Sequence, residues 1–209
     1  MEVQYFGANC LVLASKKLRV VIDDNLAELG AKSIVKPEDI VLSTVTDVSQ
    51  PQMSKIFINM PGEYEVSGIS IYGIAARAHI DEAGKKTATV YKLIIDDLKV
   101  LVTGHIYPEL TESQLEVIGM IDVMIVPVGG NGYTLDGVGA LKLVKAVEPK
   151  VVVPVHYEDN TLRYPVPQQD LESALKSMSM EPAETTPKFK TKAADLGESL
   201  KLVVVERSK

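Results

Sequence analysis

The chain has 209 residues, a formal net charge of −6, one cysteine and 46% hydrophobic residues. That length and apolar content suffice for one sizeable core. The acidic balance and the shortness of the basic pieces, Lys16-Lys17, Lys85-Lys86 and residues 188–192, exclude a general nucleic-acid binder. Cys10 alone permits neither an intramolecular disulfide nor a thiolate zinc cluster, and no stretch approaches the roughly 20 apolar residues of a membrane helix.

Residues 1–7 show no basic leader followed by an apolar core. With the lone cysteine they lead us to expect a soluble, cytoplasmic protein with no membrane partner. Homo-oligomerisation is left open.

In chain order, residues 3–6 and 11–13 read as strands joined by the tight turn Gly7-Ala8-Asn9, and 18–22 as a third strand ending in Asp23-Asp24. Residues 27–34 carry a weak helical pattern. Strands are expected at 40–44 and 54–59, with a loop from Val45 to Pro51 between them. Residues 60–65, with Pro61 and Gly62, read as a turn. Strands follow at 69–74 and 87–95, the second forming a hairpin with 99–103. Residues 111–119 read as a helix with Thr111 as N-cap, and 121–126 as a strand entering the glycine-rich loop Gly129-Gly130-Asn131-Gly132. A helix over 135–147, capped by Thr134, precedes the strand 151–157, whose four valines suit burial on both faces. A helix over 168–178, an exposed loop over 181–192 and a strand over 200–206 complete the chain. This order predicts one domain over residues 1–209, in which two sheets pack face to face with helices outside.

The chain holds three histidines, His79, His105 and His156. Each follows an apolar strand and opens a polar loop, as a ligand or proton carrier at a sheet edge would. Taken singly, each also fits a capped core strand.

The sequence resembles the metallo-β-lactamase fold, and within it the small hydrolases similar to ascorbate-6-phosphate lactonase. The matching pieces are residues 3–24, 39–50, Pro61-Gly62-Glu63-Tyr64, 79–91, 100–105, 122–130 and Pro154-Val155-His156-Tyr157. The resemblance implies an α/β fold, a four-layer αββα sandwich of two mixed sheets. It also implies a family signature, a strand ending in Thr followed by His-x-His-x-Asp-His, that binds two zinc ions. Here the stretch is Thr44 followed by Val45-Thr46-Asp47-Val48-Ser49-Gln50, so all four ligands of that signature are replaced. Valine cannot bind zinc, and serine and glutamine are poor ligands beside imidazole or carboxylate. The family's later histidine corresponds to His79, its bridging aspartate to His105 after Gly104, and its last histidine to His156. Its Gly-His-Ser-Cys is Gly7-Ala8-Asn9-Cys10 here, and Asp23 matches an aspartate that supports the site.

Two readings follow from the resemblance. In one, the chain keeps the fold and has lost the dinuclear site, leaving a cleft around Asp23, Asp47, Gly104 and Tyr157 for a small anionic metabolite or a protein partner. In the other, Asp47, His79, His105 and His156 hold at most one divalent ion, zinc being the best fit, for hydrolysis of an ester, lactone or phosphodiester. Glu63-Tyr64 reads as a structural turn. The loop at 129–132 lacks the Lys and Ser/Thr of a phosphate-binding P-loop, and no serine sits on a nucleophile elbow.

Overall fold

The structure, a computed structural model, describes residues 1–16, 18–46, 48, 50–51 and 53–208. The first sheet comprises β1 (Glu2–Gly7), β2 (Cys10–Ala14), β3 (Arg19–Ile22), β4 (Ile40–Leu42), β5 (Ile56–Ile58) and, beside β1, β13 (Phe189–Lys190). β1 to β3 form an antiparallel meander, and β3, β4 and β5 run parallel. The alternation of the strands gives the sheet two apolar faces. Leu11, Leu13, Val20, Ile22, Ile40 and Leu42 enter the main core, while Val12, Val21 and Val41 form a second cluster on the other face.

The second sheet has the order β12 (Pro182–Thr186), β14 (Lys201–Val205), β11 (Val151–Val155), β10 (Val123–Pro127), β9 (Leu98–Val102), β8 (Ala88–Ile95), β7 (Ile69–Ala76), β6 (Gly62–Val66). The strands from β12 to β9 are parallel, and those from β9 to β6 antiparallel. The antiparallel half is made by local turns. Ser67-Gly68 and Asp96-Asp97 each place two residues at positive φ, as two-residue hairpin turns require. The parallel half needs crossovers, supplied in part by α1 (Glu112–Ile118), α2 (Gly137–Val147) and α3 (Leu171–Met178). All five residues of β10 and of β11 are buried, as expected for central parallel strands.

Five local readings change. Residues 27–34 form no helix. The Asp24 carboxylate accepts from Ser33 Oγ and from the backbone N–H groups of Ile34 and Val35, and Gly30 sits at φ +85°. The segment is thereby tied into a loop, and Ile34 and Val35 cover the outer valines of the first sheet. Residues 62–66 are strand β6 and not a turn, because the chain reverses at Ser67-Gly68 instead. The cap of α2 is Asp136, whose carboxylate accepts from the Gly139 N–H at 2.7 Å; Thr134 lies before it. Residues 182–186 and 189–190 pair as edge strands of the two sheets, where Pro182 starts its strand and its missing N–H does no harm. The helix expected from Gln168 begins at Leu171, capped by Asp170. The Thr111 cap stands, with a complete capping box to Gln114.

Candidate functional site

The parallel strands deliver their carboxyl ends to one edge of the sandwich, where open α/β sheets bind ligands. β3 leads to Asp23, β4 to Thr44, β9 to Gly104-His105, β10 to Gly129 and β11 to His156. β7 runs antiparallel to β8, hence in the direction of β9, and brings His79 to the same edge.

Asp23 ties the loops that follow β3 and β4 together. Asp23 sits at φ +49°, and its carboxylate accepts from Thr44 N–H at 2.7 Å and Thr44 Oγ1 at 2.6 Å. Burial raises its pKa to about 6, against the lowering effect of the two Thr44 donors and of the nearby Asn9 amide. That amide is itself buried and completes no hydrogen bond of ordinary geometry among the described residues. Gly104, at φ +62°, lies flat against the Thr44 side chain; a β-carbon there would overlap Thr44 Cβ and Oγ1. Only glycine lets the His105 loop approach so closely.

His105 and His156 meet edge to face, ring centroids 4.7 Å apart and planes at 88°. Burial, then the neighbouring His156, hold the His105 pKa down at about 3, against a hydrogen bond to the Tyr133 backbone. Burial likewise lowers His156 to about 4. Both imidazoles are therefore neutral at pH 7. The His156 backbone is unusual for a histidine. It sits at φ +56°, with its N–H donating to Ala8 O at 2.8 Å and reaching Tyr5 Oη at 3.1 Å. Tyr164 packs on its ring at 5.3 Å.

His79 joins through the backbone: its N–H donates to His105 O at 2.8 Å, and Ala78 and Ile106 form a β-bridge. Its ring lies toward Ile106 O, 3.4 Å from Nδ1, and Tyr107, at 6.3 Å. Arg77 stacks on Tyr107 at 3.8 Å and donates twice to Asp81 O, which fixes this loop. Beside His79 a shallow cavity of about 280 Å³ is lined by Pro108, Asn131, Thr134, Asp136 and Lys142 among others. The glycine-rich loop thus forms part of the cleft rim, with Gly130, Asn131 and Gly132 all at positive φ.

Of the predicted cleft residues, Asp23, Gly104, His105 and His156 are set at this edge, with His79 beside them. Tyr157 turns the other way: its ring packs on Tyr5 at 5.6 Å within the main core, and burial raises its pKa to about 12. Asp47 lies outside the described residues. Val45 stands 38% exposed at the cleft mouth, bridged to Ala88, where the resembled signature has an imidazole. Among the described residues no three His, Cys, Asp or Glu side chains lie close enough together to hold a metal ion. Sequence reasoning passed over Gln168 and Tyr164, which surround His156. Tyr164 sits in a proline-bearing loop, and Gln168 was read as the start of a helix that begins only at Leu171, so neither was marked as a neighbour of His156.

A sequence profile of the beta-lactamase superfamily domain matches residues 2–156. The chain belongs to the beta-lactamase superfamily. Within that superfamily it is similar to a UPF0173 metal-dependent hydrolase of Thermococcus onnurineus, 33% identical over 61% of this chain and 56% of that one. Another, from Thermoplasma acidophilum, is 29% identical over 49% and 46%. The chain thus spans about half the length of these curated relatives. A solved structure, a candidate zinc-dependent hydrolase of the metallo-β-lactamase superfamily from Thermotoga maritima, superposes over 98% of both chains with a TM-score of 0.75 at 24% identity. The fold of this superfamily member is therefore the metallo-β-lactamase sandwich. No helix among the described residues is long and apolar enough to cross a membrane.

Proposed function

We propose that this β-lactamase-fold protein has lost most of the zinc ligands of its superfamily and carries little or no dinuclear hydrolase activity. The observation that supports this is the donor set. Of the four ligand positions of the signature, Val45, Ser49 and Gln50 offer no imidazole or carboxylate and Asp47 alone keeps a carboxylate, and no three-ligand group forms among the described residues. Without two ions no hydroxide can be held between them, so the hydrolysis of β-lactams, lactones and phosphodiesters loses its nucleophile. The cleft then serves to bind a small metabolite. Its cavity beside His79 and Lys142 can accommodate an anionic group at the rim.

One observation favours a second reading, a single-ion hydrolase of an ester, lactone or phosphodiester. His105 and His156 touch and are both held neutral, which leaves imidazole lone pairs for one divalent ion, zinc by preference. Relatives named as metal-dependent hydrolases are in keeping with it. Steady-state turnover with and without chelator separates the readings. The first expects no chelator-sensitive turnover on β-lactam, lactone or phosphodiester substrates. Turnover of about 1–10³ per second that chelator abolishes overturns it, and the same turnover with one ion per chain establishes the second.

A further inference from the structure

His156 and Gln168 each bury a polar atom with no hydrogen-bond partner among the described residues: Nδ1 of the imidazole and Oε1 of the amide. Orphaned buried groups are uncommon and call for an explanation. These two are neighbours, because both crowd the same point above Gly129. A β-carbon built there would lie 3.1 Å from His156 Nδ1 and would overlap Gln168 Oε1 and the His156 carbonyl oxygen. Because residue 129 is glycine, a space is left that the imidazole and the amide both border.

The orientation of the amide is settled by its other end. Gln168 Nε2 donates to Val166 O at 2.9 Å, so the atom turned toward Gly129 and His156 is the oxygen. The His156 backbone carbonyl borders the same space. Nδ1 therefore meets two carbonyl-type oxygens, both acceptors, and a bare lone pair there would be repelled by each. A proton on Nδ1, with the amide oxygen turned to accept it, would give both orphans a partner. The φ of +56° and the backbone hydrogen bonds to Ala8 and Tyr5 prevent the ring from leaving this position by a shift of its own backbone.

We infer that Gln168 is a positioning residue for His156: its amide oxygen takes the Nδ1 proton and fixes the tautomer in which Nε2 alone carries the lone pair. The protein's histidine thus presents one nitrogen of defined character. This is the role that a hydrogen-bonded partner plays for metal-binding and base histidines in general. Gly129 assists by its missing side chain, and Val166 by locking the amide. For its consequence the inference rests on the reading of the cleft given above; its test does not.

The test is long-range ¹H–¹⁵N correlation NMR of metal-stripped protein labelled at the imidazole nitrogens, recorded near pH 7. The wild type is expected to show His156 protonated at Nδ1 and unprotonated at Nε2. Gln168→Met keeps the bulk and removes the acceptor. It is expected to lose the single Nδ1-protonated form while the His79 and His105 resonances stay in place. Gln168→Glu, which keeps an oxygen at the position, is expected to retain the Nδ1 proton. A wild-type His156 protonated at Nε2 overturns the inference, and that spectrum decides even if the methionine variant does not fold. An Nδ1 proton that survives Gln168→Met unchanged also overturns it. Zinc titration of the wild type tests the functional reading separately. Two tightly bound ions in a protein whose Nδ1 proton depends on Gln168 overturn that reading and support this one.

Discussion

Lowering the pH from 7 to 5 is expected to cost the metal-stripped protein about 2.5 kcal/mol of stability, through two histidines offset by one aspartate. His105 and His156 have folded pKa values of about 3 and 4, against 6.5 for the unfolded chain. As the pH falls below 6.5 the unfolded state takes up two protons that the native state refuses, and stability drops until the folded values are reached. The loss from pH 7 to pH 5 depends only on the folded values lying below 5, and amounts to about 1.9 kcal/mol per histidine. Asp23 acts in the opposite sense. Its folded pKa of about 6 lies above 3.8, so the native state binds a proton first, and about 1.3 kcal/mol returns over the same interval. Urea unfolding at pH 7, 6 and 5 at fixed ionic strength measures the sum. In the His105→Asn/His156→Asn double variant the sign should reverse, with stability rising by about 1.3 kcal/mol toward pH 5 through Asp23 alone. A wild type that is flat over this range, or a double variant that still loses 2 kcal/mol or so, would refute the placement of two neutral buried imidazoles beside a buried carboxyl.

Three further outcomes are expected. Gly104→Ala, which drives a β-carbon into Thr44 at a positive φ, should destabilise by about 2–4 kcal/mol in chemical denaturation. Thr111→Ala breaks the capping box of α1 and should cost about 1 kcal/mol in chemical denaturation. Cys10 is fully buried and burial pushes its thiol well above the ordinary range. It should react with a thiol reagent only at the rate of opening, and fast labelling in native buffer would contradict the packing around β2.

The strands and the cleft edge were legible because they rest on patterns a sequence states directly. The valines of β11, the hairpin around Asp96-Asp97 and the Thr111 cap each follow from local chemistry. The family pieces then gave the sandwich. What misled were places where tertiary ties override local propensity. The segment at 27–34 has helical spacing, yet Asp24 binds two of its donors and the next backbone N–H, at Val35, and the first sheet needs Ile34 and Val35 as a cover. β12 and β13 look like loop because edge strands are polar, exposed and tolerant of proline. At the site, the three histidines did reach one edge, but spacing could not say that His79 would turn toward Tyr107 or that Tyr157 would turn into the core. Side-chain direction after a strand end depends on backbone angles such as the φ of +56° at His156, which no residue pattern announces. Gln168 was invisible for the same reason: its importance lies in a space that Gly129, nearly 40 residues earlier, leaves open.

Native mass spectrometry of the protein purified without chelator and then equilibrated with excess zinc tests the central claim most directly. Because the loop after Thr44 supplies neither of the imidazoles that begin the resembled signature, fewer than two zinc ions per chain should survive desalting. Two ions retained per chain, and lost together on chelation, would contradict it.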